Sequence, residues 1–211
     1  MHSEGPTGLP GTMNRQNFLR LTGLGILGTA LFGLAGVVNA QASPDSFLAA
    51  EFEEAAEEYD VPVELLLAIG YVNTRWEMPP PETSAHEPGN PHGRGAYGIM
   101  QLVQNDFADT LGEASRLTGI PEEELKTDRR ANILGGAALL AESQGEKPPR
   151  LGDYFGAVSG EGGRGKSYDA VAGIGAGEHF AEQVFRTLKK GSSATNLKGE
   201  QIELPAREGQ L

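Results

Sequence analysis

The sequence predicts an all-α domain in which helices gather around one buried central helix and long loops line a cleft. Three observations carry this. The stretch Pro62–Val72 opens on a proline and is apolar on nearly every side, as a helix enclosed by its neighbours must be. Apolar residues recur at helical spacing before and after it, in 48–59, 131–141 and 180–188. Between these stretches, residues 79–95 form a long segment punctuated by proline and glycine, and glycine is high overall at 30 residues, which assigns much of the chain to loops and turns.

At 211 residues the chain has room for one compact domain plus tails, and 38% hydrophobic residues supply a modest core. Its formal net charge of -12 repels a phosphate backbone, and no Lys/Arg run offsets that locally, so nucleic acid is excluded as a partner. With zero cysteines there is no disulfide and no thiolate metal site.

Residues 1–40 read as an export signal. Arg15 and Arg20 supply the basic region, Leu21–Val38 is uncharged and apolar, and Val38-Asn-Ala40 places small residues at cleavage spacing before Gln41. A retained anchor is the competing reading, but five glycines dilute the run and no basic stop-transfer cluster follows. Arg15-Gln-Asn-Phe-Leu-Arg20 is similar to a twin-arginine signal with Gln16 in place of the second arginine, and both the Sec and Tat routes stay open. Met13 is an alternative start. Cleavage removes two basic residues and one acidic one, leaving 15 basic against 28 acidic, or -13. The expected product is a secreted, acidic, cell-wall-associated protein with no membrane anchor after cleavage.

The first helix is expected from a Ser46 cap to Tyr59, with Leu48, Phe52, Ala55, Ala56 and Tyr59 on one stripe and Glu51, Glu53, Glu54, Glu57 and Glu58 on a solvated face. The central helix starts at Pro62 and cannot pass Met78, because Pro79-Pro-Pro81 follows. The next loop holds Glu82, His86, Glu87, His92 and Arg94. Its histidines stand six apart without a third ligand at a recognisable spacing, so no metal is expected and the loop is read as the rim of a groove. Short helices over 105–111 and 113–117 are expected to break at Gly112 and Gly119, and 121–125 makes a further turn. Thr127 or Asp128 caps a helix to Ser143, whose Gly135-Gly136 pair implies another helix crossing closely there. Residues 151–158 are helical. Ser159–Gly165 is glycine-rich but lacks the context of a phosphate-binding loop, and no cofactor is expected. A last helix spans 178–190 and stops at Gly191, so the domain covers 46–191, with 192–211 a disordered tail or linker.

Two motifs add a resemblance. Val61-Pro-Val-Glu-Leu-Leu-Leu-Ala-Ile-Gly-Tyr-Val-Asn-Thr-Arg-Trp76 followed by Gly95-Ala-Tyr-Gly-Ile-Met-Gln101 resembles the core of the transglycosylase and goose-type lysozyme family. There the helix ends in Glu-Ser and the turn reads Gly-Ala-x-Gly-Leu-Met-Gln. Asn132-Ile-Leu-Gly-Gly-Ala-Ala-Leu-Leu140 is similar to a later helix of the family, with Leu139 where a tyrosine usually stands. The chain also looks like the domain that precedes a zinc amidase in some cell-wall hydrolases. The resemblance implies a lysozyme-like fold, peptidoglycan glycan strands as ligand, and a groove lined by Thr74, Trp76, Arg94, Tyr97, Met100 and Gln101. It puts Asn73 at the family's catalytic glutamate and Thr74 at its serine. The family's Tyr-Asn-Ala-Gly segment would fall near Ala157–Glu161, where no tyrosine stands.

An amide donates a hydrogen bond but delivers no proton, and losing a positioned general acid lowers a rate by ~10²–10⁴. Three readings follow. The chain binds glycan strands in cell-wall turnover without cleaving them, beside an amidase domain or protein. Alternatively, it is an active muramidase or transglycosylase in which Glu77, four residues after Asn73, supplies the acid on the same helical face with Trp76 stacking on a sugar. In the third it is a protein-interaction scaffold. Whether it is an enzyme is left open by the sequence.

Overall fold

The computed structural model describes residues 47–86, 88, 94–106, 108–148, 150–159, 177–209 and 211. The export signal, the Ser46 cap, Glu87, His92 and most of the glycine-rich segment fall outside these residues. Helices dominate, and two small antiparallel sheets correct the all-α expectation.

The first helix, α1 (Phe47–Tyr59), buries Leu48, Ala49, Phe52, Ala55 and Ala56. Glu53, Glu57 and Glu58 are exposed as their pattern predicts, whereas Glu51 and Glu54 face Arg129 and Arg130. The central helix, α2 (Val63–Thr74), follows Pro62 and buries every residue from Leu65 to Gly70. Full burial of each large aliphatic side chain contributes ~1.5–3 kcal/mol, so α2 anchors the core.

This helix ends earlier than expected. Arg75 (φ 56) and Trp76 (φ 64) are both left-handed. Their N–H groups turn back to the carbonyls of Tyr71 at 2.9 Å and Gly70 at 3.3 Å, closing the helix at Thr74. Glu77 therefore does not share a helical face with Asn73.

Residues 95–101, expected to form a turn between helices, belong instead to a hairpin. Strands β1 (Ala96–Tyr97) and β2 (Leu102–Val103) pair Ala96 with Val103 and Tyr97 with Leu102. The loop between them needs Gly98 at φ 71, where a Cβ would overlap the Asn132 carboxamide. Next, α3 (Thr110–Thr118) is capped by Asp109, whose Oδ1 accepts from Gly112 N at 2.9 Å. Gly112 thus lies inside the helix rather than breaking it, because the Asp109 cap three residues earlier starts the helix ahead of it. Gly119, at φ 73, does end it.

A short α4 (Glu122–Thr127) leads into α5 (Arg129–Gln144), capped by Asp128 as the sequence predicts. The close approach inferred at Gly135-Gly136 is real, but at Gly136 the neighbour is the hairpin and not a helix. A Cβ on Gly136 would lie 2.7 Å from Met100 side-chain atoms, whereas one on Gly135 would meet Leu102 of the hairpin at 3.0 Å and also Leu125 of α4 at 3.1 Å and Ala114 of α3 at 3.2 Å, so helices do cross closely there. A 3-10 turn (Leu151–Tyr154), α6 (Phe155–Ser159) and α7 (Gly177–Lys190) complete the helices.

The C-terminal stretch departs most from expectation. Instead of a structureless tail, β3 (Ser192–Thr195) and β4 (Gln201–Leu204) form a second hairpin. Ile202 and Leu204 point into the core on alternate positions of β4, a pattern too short to stand out beside the exposed residues around it. Arg207, buried behind the hairpin, bonds Glu64 at the start of α2 at 2.8 Å.

Candidate functional site

The C-terminal turn of α2 meets the loop of the first hairpin, and Asn73, Thr74, Trp76, Tyr97, Met100 and Gln101 collect at that junction. Asn132, on α5, sets the loop's position. It is fully buried and uses its whole amide: Oδ1 accepts from Met100 N at 2.8 Å, while Nδ2 donates to Tyr97 O at 3.0 Å and Leu125 O at 2.9 Å. From the sequence alone Asn132 carries no assigned role. Its signal was a lone polar residue on an otherwise apolar helix face, where a buried amide must find partners.

Asn73 is half-buried, and its Nδ2 donates to Met100 O at 3.1 Å. Because a backbone carbonyl only accepts, this bond fixes which end of the amide faces the loop and turns Oδ1 away from that carbonyl. Thr74 donates from Oγ1 to Gly70 O at 3.2 Å, with Ile99 O at 3.5 Å as a second acceptor. Gln101, at φ 54, folds its Nε2 onto Gly98 O at 2.8 Å. The junction is thus held by side-chain donors on backbone carbonyls.

Three of the expected groove residues are core instead. Trp76 is 1% exposed and donates from Nε1 to Leu67 O at 2.8 Å, so its ring is closed to a stacking sugar. Met100 is wholly buried against Gly136. Tyr97 is buried under Lys126, whose ammonium lies 5.1 Å from the ring centroid. Tyr97 and Met100 shape the loop from beneath, as the inward side chains of a hairpin packed on helices must, while Trp76 packs under the end of α2. Arg94 is exposed, and its carbonyl accepts from Asn105 Nδ2 at 2.9 Å.

Glu77 is engaged elsewhere: its Oε1 accepts from Leu197 N, in the turn of the second hairpin, at 2.8 Å. The left-handed pair Arg75-Trp76 takes it off the α2 face, so the helical-face relation to Asn73 expected from the sequence does not hold. Tyr154 offers no replacement either. It is buried near Asp60, beside the N-terminal end of α2 and away from Asn73, where burial and the Asp60 charge push its phenol above the ordinary range.

Charge around the second hairpin is concentrated in one cluster. Arg129 bonds both oxygens of Glu51, at 2.6 and 3.0 Å, and also reaches Glu200. Glu200 accepts in addition from Leu48 N at 3.1 Å and from Asn196 Nδ2 at 2.8 Å. Burial pushes the Glu200 carboxyl up, but the hydrogen bonds from Asn196 and Arg129, the Arg129 charge and the Leu48 N–H outweigh it and hold it below its ordinary value. Among the described residues no group of three or more His, Asp or Glu is placed to hold a metal, and His86 Nε2 lies 3.5 Å from Asp106. No described helix is long and apolar enough to cross a membrane.

Chemically, the junction offers oriented amides, a hydroxyl and one exposed arginine, Arg75, and at position 73 a group that donates hydrogen bonds but transfers no proton. No family model matches the chain, and no curated protein matches it.

Proposed function

We propose that this is a secreted lysozyme-like domain that binds peptidoglycan glycan strands at the junction of α2 and the first hairpin, without cleaving them. The observation that carries the proposal is Asn73: the residue at the end of the buried central helix is an amide, held by Met100 O at 3.1 Å, where glycosidase chemistry needs a carboxylic acid. The order of the elements supports it, with a proline-opened buried helix, a Gly-Ile-Met-Gln loop on its end, and an Asn-Ile-x-Gly-Gly helix beneath. Glu77, the acid that the alternative reading would draw on, is bonded to Leu197 N of the second hairpin.

The test is cosedimentation of the purified chain with purified sacculi. Saturable binding that soluble glycan strands compete away is the expected result. Absence of binding would leave the protein-interaction scaffold in its place.

A further inference from the structure

We propose that Arg75 is the ligand-recognition residue of this site and that it reads a carboxylate carried by the glycan strand. The inference rests on the glycan-binding reading above and deepens it by naming the charge on the ligand.

The first observation is backbone strain. Among the described residues Asp60, Arg75, Trp76 and Gln101 are the non-glycine positions at positive φ, and three of these four border the end of α2. Arg75 occupies the position after a helix that glycine ordinarily fills, because a Cβ there is disfavoured by roughly 1–2 kcal/mol. Trp76 answers for its own strain by filling the core. Arg75 buries nothing, being exposed, so core packing does not explain its side chain. A strained residue kept without a packing return points to a role in binding.

The second observation is charge. The chain carries a formal net charge of -12, and Arg116, Arg129, Arg130, Arg150 and Arg207 each face a carboxylate. Arg75, like Arg94 and Arg186, makes no ion pair among the described residues, and of these three it is the one at the end of α2. An open cation beside the junction of an acidic protein is available to a ligand's charge.

The third is preorganisation. Arg75 Nη1 donates to Tyr71 Oη at 3.0 Å, and the guanidinium carbon stands 5.4 Å from the Tyr71 ring centroid. Tyr71 is in turn braced on Trp76, with ring centroids 4.8 Å apart. One nitrogen of the planar fork is fixed, and the remaining N–H groups keep the geometry that takes a carboxylate through two parallel bonds. A lysine would lose both the stack and the fork.

A peptidoglycan strand carries carboxylates of two origins, the lactyl group of its muramic acid and the ends of its stem peptides. Calorimetric titration of the purified chain separates them with four probes: peptide-stripped strands, peptide-bearing strands, peptide-stripped strands with their carboxyls amidated, and chitin oligomers. The expected result is tighter binding of a carboxylated probe than of its amidated or chitin counterpart. Arg75→Gln should weaken the carboxylated probe on the order of 3–10-fold, as an exposed but oriented ion pair allows, and leave chitin unchanged. Arg75 dependence on peptide-stripped strands identifies the lactyl group, and dependence on peptide-bearing strands alone identifies the stem. A second variant adds a readout that loss of folding would not imitate: Arg75→Gly should raise Tm by about 2–4 °C by relieving the left-handed backbone while weakening binding as Arg75→Gln does. Equal affinity of wild type and Arg75→Gln for every carboxylated probe overturns the role of Arg75 while leaving glycan binding intact. Failure of all four probes to bind overturns the glycan reading and this inference with it.

Discussion

At the scale of single residues, Asn132 holds the candidate site in shape, and its removal has a calculable effect. Asn132→Ala leaves Met100 N, Tyr97 O and Leu125 O buried without this partner. At ~1–3 kcal/mol for each unsatisfied group, reduced by relaxation, the variant should lose about 3–5 kcal/mol in urea unfolding. Asn132→Asp should recover part of its stability in acid, because only the protonated carboxyl donates to those carbonyls. Trp76 gives a second residue-level test. As the chain's single tryptophan, with its indole buried and bonded to Leu67 O, it should keep a blue-shifted emission that saturating glycan leaves unchanged. A ligand-induced change in that emission would restore the ring to the binding surface. Asn73 stood out from sequence because a polar residue ends an apolar helix. Trp76 read wrongly because nothing in its neighbours showed that the helix would close at Thr74 and swing the ring inward.

Among the elements, the helices were legible because their apolar spacing and caps agree: Asp128 ahead of α5 and Gly191 after α7 each mark an observed boundary. The hairpins were not. Strands of two and four residues carry too short a pattern to be read, and they are held by distant partners such as Asn132 and Arg129. Gly136, noticed for its helix-breaking tendency, is explained by the hairpin loop instead. Gly136→Ala should destabilise the fold by about 1–3 kcal/mol through overpacking on Met100, measured by thermal or urea unfolding. The second hairpin is fastened at Glu200, whose folded carboxyl lies below its ordinary value of 4.5. Its contribution is therefore complete above that value and is lost as the pH falls through the lower, folded value. Wild type should exceed Glu200→Gln by about 2 kcal/mol at neutral pH, and the two should converge in acid when melts are compared from about pH 7 to pH 3.

For the whole molecule, a buried helix, a hairpin loop on its end and a second hairpin fastened to the first helix fix one polar junction. The amide at its centre decides what that junction does. Asn73 donates to Met100 O and has no proton to give, while Glu77 is bonded to Leu197 N in the other hairpin. The measurement that tests this most directly is release of soluble muropeptides from purified sacculi incubated with the purified chain. The account predicts that the protein sediments with the sacculi and that release stays at the level of a protein-free control. Release by the wild type, abolished in Glu77→Gln, would contradict it.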